Sequence, residues 1–152
     1  MAEPYLRLAN INDMDLLFRW ANDDAVRQNA FITEKISYAD HKKWFNEKQN
    51  SENCVIYICY IDNSPVGQAR VEIENGRGLV SYSIDAEYRM RGYGGRLLEI
   101  LETIIKSELP QVMILTAKVR KHNITSQRRF EKLNYILKEK DTCFIYEKEI
   151  KR

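Results

Sequence analysis

The chain has 152 residues, of which 44% are hydrophobic and 30% charged, and this composition is typical of one globular domain spanning residues 1–152. Its 24 basic and 22 acidic residues nearly cancel, which argues against nucleic acid as a partner. The three cysteines and two histidines lack the spacing of a disulfide set or a zinc site, and the longest apolar run is too short to cross a membrane. We therefore expect a cytoplasmic protein with no metal and no membrane contact.

The first half of the chain predicts strands and two helices. YLRLA alternates as a strand does, and Asn12 is expected to cap a helix that runs to Ala21. A second helix is expected in ISYADHKKWFNEKQ, with Ser37 as its cap. The β-branched and aromatic runs CVIYICYID and VGQARVEI then predict two strands joined by a turn.

The second half predicts four further strands around two helices. LVSYSID reads as a strand, and RLLEILETIIKSEL has the apolar spacing of a helix that ends near Pro110. VMILTAKV is apolar enough to predict a strand buried on both faces, TSQRRFEKL predicts a helix, and YILKEK with TCFIYEKEI predicts a final hairpin. This order indicates an α/β or α+β fold with a mixed sheet.

Half of the six glycines lie in YRMRGYGG, between a predicted strand and a predicted helix. The cluster does not match the dinucleotide pattern G-x-G-x-x-G, because Leu97 occupies the third glycine position, and no P-loop pattern is present. The first N–H groups of a helix have no partner within the helix and attract anions, and glycine lets an anion approach them closely. The cluster therefore predicts an anion site, with a plain turn as the alternative.

Two segments resemble the GCN5-related N-acetyltransferases. Arg89, Gly92 and Gly94, in the pattern R-x-x-G-x-G after VSYSID, resemble motif A of that family, and HNITSQRRFEKLNY resembles its N-x-x-[SA]-x-x-x-[YF]-x-K-x-[GN]-[FY] block. The order of elements agrees over about residues 5–150. The resemblance implies a mostly antiparallel sheet of about seven strands with about four helices. It also implies direct transfer of an acetyl group from acetyl-CoA to a primary amine.

The resemblance further implies which residues hold acetyl-CoA. The backbone of Tyr82, Ser83 and Ile84 would pair with the pantetheine arm, and Asn123 would contact the cofactor. Phe130 stands where many members have a tyrosine that protonates the thiolate, so we expect it to pack against the cofactor instead. The loop predicted to bind the pyrophosphate comprises Arg89, Met90, Arg91, Gly92, Tyr93, Gly94 and Gly95.

The proton path is less determined. Lys118 stands where ribosomal-protein members of the family can carry a glutamate base, and lysine is a poor base at neutral pH. Glu72 shares one strand face with Gln68 and Arg70, so we predict Glu72 as the base and Tyr82 as the acid. The alternatives are an ion pair between Glu72 and Arg70, a core role for Tyr82, and proton loss through ordered water.

The acceptor is expected to lie against the first two helices and their loop. Asn29, Phe31, His41, Gln68 and Arg70 combine aromatic faces with hydrogen-bonding groups, which suits a sugar or nucleobase. This region resembles N-acetyltransferases of nucleotide-linked 4-amino-sugars in the pathway to pseudaminic acid, and Arg70 is suited to a diphosphate. The alternatives are protein N-termini, lysine or small amines, or an acetyl-CoA-binding module without catalysis. A homodimer through TCFIYEKEI as an edge strand is a further possibility.

Overall fold

A seven-stranded sheet forms the centre of the molecule, as described by a computed structural model for residues 2–152. The strands are β1 (Pro4–Leu8), β2 (Cys54–Ile61), β3 (Ser64–Glu74), β4 (Arg77–Ile84), β5 (Ile114–Val119), β6 (Ile136–Lys140) and β7 (Phe144–Glu149). They lie in the order β1-β2-β3-β4-β5-β7-β6, and every neighbouring pair is antiparallel except β4 with β5. The predicted mixed, mostly antiparallel sheet is confirmed.

Five α-helices flank this sheet within residues 2–152, one more than expected. They are α1 (Met14–Ala21), α2 (Asp24–Asn29), α3 (Tyr38–Gln49), α4 (Tyr93–Glu108) and α5 (Ile124–Lys132). The unpredicted helix is α2, whose six residues carry no apolar stripe and none of which is buried. The predicted cap at Asn12 is also wrong, because Asn10 and Asp13 form a capping box around a short 3-10 turn that precedes α1.

The core lies on both faces of the sheet. On one face, α4 buries Leu97, Leu98, Leu101 and Ile105 against the central strands, as its spacing predicts. On the other face, Trp20 of α1 and Phe45 of α3 pack against β2. The guanidinium of Arg152 donates to three carbonyl oxygens at and beyond the end of α4, those of Lys106, Leu109 and Val112.

Two predictions about strands need correction. Leu115, Ala117 and Val119 of β5 are buried, but Lys118 is exposed, so β5 is not buried on both faces. The apolar content of this strand was misleading because its other face borders an open cleft. The segment TCFIYEKEI is not an edge, since β7 lies between β5 and β6. The outer strands are β1 and β6, and a homodimer stays a prediction.

The parallel neighbours β4 and β5 pair only at their beginnings. Three residue pairs join them, from Arg77 with Ile114 to Leu79 with Thr116. Past that point β4 runs on to Ile84 and remains paired with β3 on its other side, while β5 pairs with β7. The two strands therefore diverge, and the backbone groups of β4 that face β5 have no partner in that strand. This divergence opens the cleft described next.

Candidate active site

A cleft of about 610 Å³ occupies the space between the diverging strands, within the usual range for small-molecule sites. Its walls come from α1, α2 and α3 on one side and from β5 and α5 on the other, with the β4–α4 loop at one end. Most of the residues predicted for the cofactor and the acceptor line this one space. They are Asn29, Phe31, His41, Gln68, Arg70, Tyr82, Ser83, Ile84, Arg89, Met90, Gly92, Tyr93, Gly94, Asn123 and Phe130.

The start of α4 is accessible to an anion. Gly92 adopts a left-handed conformation with φ of 81°, and no described side chain caps the amides that follow it. A methyl group built on Gly92 or on Gly95 would meet no described atom within 4 Å, so the space beside the backbone is open. Free amides, open space and the positive end of a helix fit a phosphate group.

Gly94 has a different role from the other glycines of the loop. It is buried, and a Cβ at this position would lie only 2.5 Å from Nη1 of Arg129. The Nη1 atom of that guanidinium donates a hydrogen bond to the hydroxyl of Tyr82 at 2.9 Å. A Cβ at residue 94 would therefore displace the end of the Arg129 side chain from Tyr82.

The arginines of the loop are mostly engaged with carboxylates. Arg89 donates from Nη2 to Asp23 at 2.6 Å and from Nε to the carbonyl of Ile84 at 3.0 Å. Burial raises the pKa of Asp23, but the bonds from Arg89 and the backbone outweigh it and hold the pKa below its ordinary value. Arg96 pairs with Glu3 and Glu99. Because Arg89 and Arg96 are paired, their positive charges attract an anion to the start of α4 less strongly than the sequence suggests.

Tyr82 places its hydroxyl beside α5. The hydroxyl lies 2.6 Å from Oγ of Ser126, and its ring packs edge-on against Phe130 with centroids 5.9 Å apart. Ser126 precedes Phe130 by four residues and so shares its face of the helix. Because Arg129 donates to the Tyr82 oxygen, the hydroxyl proton of Tyr82 is directed elsewhere, towards Ser126 or a ligand. An ionisable hydroxyl from β4 thus reaches the α5 face that contains Phe130.

The three residues of β3 that were predicted for the site separate into two groups. Gln68 donates to Oγ of Ser83 at 3.0 Å, and Arg70 lies over the ring of Trp44 at 5.0 Å; both line the cleft. Nε of Arg70 is buried, lies 2.9 Å from Oε1 of Glu72 without hydrogen-bond alignment, and has no hydrogen bond to the described residues. Glu72 itself pairs with Arg70 and Lys48 and is outside the residues that line the cleft.

The predicted acceptor residues of the helical wall include one fixed histidine. His41 is buried, and its Nε2 lies 3.0 Å from the carbonyl oxygen of Met14, so Nε2 carries the proton of the neutral ring. Burial lowers the pKa of His41. Asn29 bonds to its own helix, and Phe31 is exposed at the cleft mouth. Asn123 caps α5 through Ser126 N, and its predicted contact with the cofactor stays a prediction.

The sequence did not predict two long-range contacts beside the cleft. Nη1 of Arg120 donates to the carbonyl of Ala30 at 2.8 Å, and Nε2 of His122 lies 3.1 Å from the carbonyl of Gln28. These bonds join the loop after β5 to the end of α2. In the sequence, Arg120 belongs to a basic cluster that reads as a solvated surface or a phosphate contact. No local pattern indicates a partner about 90 residues away in the chain.

The charge of the cleft is strongly one-sided. Six of the described lining residues are cations, and none is Asp or Glu: Arg27, Arg70, Arg89, Lys118, Arg120 and Arg129. Four of the six hydrogen-bond to protein groups, namely Arg27, Arg89, Arg120 and Arg129. Arg70 and Lys118 make no hydrogen bond within residues 2–152. Lys118 also makes no ion pair there, whereas Arg70 is paired with Glu72 and keeps only the rest of its guanidinium available to an anion.

A second cavity of about 470 Å³ adjoins the cleft. His41, Trp44 and Arg70 are among the residues that line both spaces, so Arg70 stands where the two meet. The second cavity includes two carboxylates, Glu34 and Asp40.

No helix in the described part of the chain is long and apolar enough to cross a membrane, and residues 2–152 contain no cluster of three or more potential metal ligands.

Comparison with known proteins agrees with this geometry. No curated protein sequence matches the chain. A domain from Methanocaldococcus jannaschii shares 20% identity at a TM-score of 0.85, covering 99% of this chain and 100% of that one. The aminoglycoside acetyltransferase AAC(6')-Ib, in complex with coenzyme A and kanamycin, is 17% identical at a TM-score of 0.84, covering 97% of this chain and 95% of that one. Spermidine N-acetyltransferase from Vibrio cholerae, in complex with CoA and spermine, is 11% identical at a TM-score of 0.84, covering 95% of this chain and 93% of that one.

These similarities show a shared fold. The family model described as "Acetyltransferase (GNAT) family" matches residues 14–135, which is most of the chain. At the level of the family, the prediction of an acetyl-CoA-dependent N-acetyltransferase is confirmed. The chain belongs to the acetyltransferase (GNAT) family.

Proposed function

We propose that this acetyltransferase moves an acetyl group from acetyl-CoA directly to a primary amine carried by an anionic small molecule, namely a nucleotide-linked 4-amino-sugar. The observation that carries the proposal is the charge of the cleft, whose described lining holds six cations and no carboxylate.

The donor fits the cleft through backbone groups. The free amides at the start of α4, beside Gly92 and Gly95, suit the pyrophosphate of acetyl-CoA. The pantetheine arm carries amides that can pair with the edge of β4 past Leu79, where β5 has diverged. The thioester would then lie between the strands near Tyr82, which lines the same space.

The acceptor is distinguished by charge. A polyamine would bring several positive charges into a cleft whose lining has no described carboxylate to pair with them. Two like charges 8 Å apart repel by about 2 kcal/mol at an effective dielectric constant of 20. A diphosphate has the opposite preference, because Arg70 can offer a guanidinium to it at the junction of the two cavities and Lys118 adds an ammonium.

The reaction needs one proton delivered and one removed. The neutral amine attacks the thioester carbonyl carbon, the C–S bond breaks, and the leaving thiolate takes a proton from the hydroxyl of Tyr82. The proton released by the amine passes to water, and the Tyr82 oxygen regains a proton from solvent before the next turnover. Glu72 stays a prediction as the final acceptor of that proton, reached through water because it lies outside the cleft lining. Full activity of Glu72→Gln at every pH would remove it from this path.

The test is release of coenzyme A, followed with a thiol reagent, against three acceptors in parallel. They are a UDP-linked 4-amino-sugar, a peptide with a free N-terminus, and spermine. We expect rapid release with the nucleotide sugar alone. Release only with the peptide would support an N-terminal acetyltransferase instead, and release only with spermine would contradict the charge argument. Binding of acetyl-CoA without release for any amine would support a non-catalytic module.

Substitution of the two cations sharpens that test. We expect Arg70→Gln and Lys118→Gln each to raise the KM for the nucleotide sugar about tenfold, because each removes a charge-assisted bond to phosphate. Lys42→Gln is the matched control, since Lys42 is an exposed lysine of α3 that lines neither cavity. An unchanged KM in both cleft variants would contradict anion recognition by these residues.

A further inference from the structure

The short helix α2 is attached to both sides of the cleft by polar bonds. At its start, the N-cap Asp23 accepts a hydrogen bond from Arg89 of the β4–α4 loop at 2.6 Å. At its end, the carbonyl of Ala30 accepts from Arg120 of the β5–α5 loop at 2.8 Å. The helix therefore spans from the predicted pyrophosphate loop to the opposite wall.

These bonds have little competition from packing. None of the six residues of α2 is buried, and a helix of this length is not stable by itself in water. Residues of α2 and its end line the cleft, including Ala25, Asn29 and Ala30. Arg27 and Asp24 also bond to neighbouring segments, so the bonds at Asp23 and Ala30 are the ones that join α2 to the loops on the two sides of the cleft.

Arg89 is held firmly enough to transmit a position. Its Nε donates to the carbonyl of Ile84, the last residue of β4, while its Nη2 binds Asp23. Asp23 is equally committed, because it also accepts from the backbone N–H of Val26 at 3.1 Å. A single side chain thus links the end of β4, the loop that precedes α4, and the start of α2.

We propose that Arg89 is a positioning residue which, through Asp23, couples binding of the donor to ordering of α2. This inference rests on the proposed function for the place of the pyrophosphate. A pyrophosphate bound to the amides after Gly92 fixes the loop that contains Arg89, and Arg89 then fixes α2 in the position that receives the acceptor. Because such coupling is reciprocal, a bound acceptor strengthens donor binding by the same factor.

The competing role for Arg89 is direct contact with a phosphate. The two roles differ in what the partner residue does. If Arg89 binds phosphate, loss of Asp23 frees it to do so, and CoA binding is kept or strengthened with no effect on α2. If Arg89 positions α2, loss of the charge on Asp23 separates CoA binding from the order of the helix.

The test uses CoA itself and needs no acceptor. Asp23→Asn keeps a side-chain oxygen that can cap α2 and removes only the charge that pairs with Arg89. Hydrogen exchange of residues 24–30 is measured with and without saturating CoA, and the Kd for CoA is measured by calorimetry. Glu3→Gln is the matched control, since Glu3 pairs with Arg96 of α4 and makes no ion pair with α2 in the described chain.

We expect CoA to slow exchange in residues 24–30 at least about fivefold in the native protein and in Glu3→Gln, the lower end of usual coupling factors. In Asp23→Asn the slowing should vanish and the Kd for CoA should rise by no more than the same factor, whereas a direct phosphate contact by Arg89 predicts an unchanged or lower Kd. Equal slowing in all three proteins would overturn the proposal, as would the absence of slowing in the native protein. Failure of CoA to bind the native protein would instead contradict the donor site.

Discussion

Two parts of the cleft are held in place in different ways: the donor end, where acetyl-CoA is proposed to bind, and the acceptor wall formed by α1, α2 and α3, where the amine is proposed to bind. The donor end is the start of α4, a helix of 16 residues whose Leu97, Leu101 and Ile105 are almost entirely buried. The acceptor wall includes α2, which buries none of its residues and is held by charged and polar bonds from other parts of the chain. The donor site is thus fixed by the core, whereas the acceptor wall depends on a few long-range bonds.

This difference matches the different demands of binding the donor and of recognising the acceptor. Acetyl-CoA is the same in every turnover, and backbone amides on a buried helix can bind it with little dependence on side chains. An acceptor must be recognised by side chains, for which the proposed function uses Arg70 and Lys118 of the cleft lining. A wall held by exposed polar bonds can also move at small energetic cost. The variants below test this contrast, beginning with the largest expected effect.

The largest effect is expected at the boundary of the two regions, for Tyr82→Phe. This change removes the hydroxyl that we propose as the proton donor to the thiolate and keeps the ring that packs against Phe130. We expect kcat to fall about 100-fold, the lower end of what general acid catalysis contributes, with an unchanged Kd for CoA. Steady-state kinetics and calorimetry provide the two values. A kcat within threefold of the native value would exclude Tyr82 as the acid.

The second comparison uses two neighbouring glycines of the donor end. In Gly94→Ala the new Cβ displaces the guanidinium of Arg129, which then no longer donates to Tyr82. We expect kcat to fall about tenfold in a folded protein, the cost of losing one charge-assisted bond. Gly95→Ala is the comparison at saturating acetyl-CoA, because its Cβ would enter the space proposed for the pyrophosphate and would affect donor binding without meeting Arg129. Equal kinetics of the two variants would contradict the role of Arg129.

The smallest effect concerns His41 in the acceptor wall and appears as a pH dependence of stability. Burial lowers the pKa of His41 below its ordinary value of 6.5. The unfolded ring therefore binds a proton at a higher pH than the native ring, so the free energy of unfolding falls as the pH is lowered below about 6.5. Urea unfolding at several pH values between 7 and 5 measures this slope. We expect His41→Gln to reduce it, and an identical slope would show that other groups cause it.

The sequence predicted the fold well because its signals are local and periodic. The apolar stripe of α4, the alternation of β3 and the glycines between β4 and α4 each depend on residues close together in the chain. The family resemblance added the mostly antiparallel sheet of about seven strands, which no local pattern contains. The failures have the same origin: α2 has no apolar stripe, and β5 is apolar although one side borders a cleft.

The site was predictable for single residues but not for their partners. Gln68, Arg70 and Tyr82 line the cleft as expected, whereas Glu72 lies outside its lining and pairs with Arg70 and Lys48. Gly94 was interpreted as space for a pyrophosphate, and its contact with Arg129 is visible only once α5 packs beside the loop. Likewise, the bonds from Arg89 to Asp23 and from Arg120 to Ala30 connect distant segments, which periodicity and motifs do not encode.

The most direct test of the central claim compares one acceptor with and without its anionic nucleotide diphosphate. They are a UDP-linked 4-amino-sugar and the same 4-amino-sugar without its nucleotide diphosphate, each assayed for coenzyme A release at saturating acetyl-CoA. An anion-recognising cleft predicts that kcat/KM is at least about 100-fold higher for the nucleotide-linked sugar, since two charge-assisted contacts are involved. It also predicts that this preference shrinks in Arg70→Gln. Equal kcat/KM for the two sugars would contradict the account.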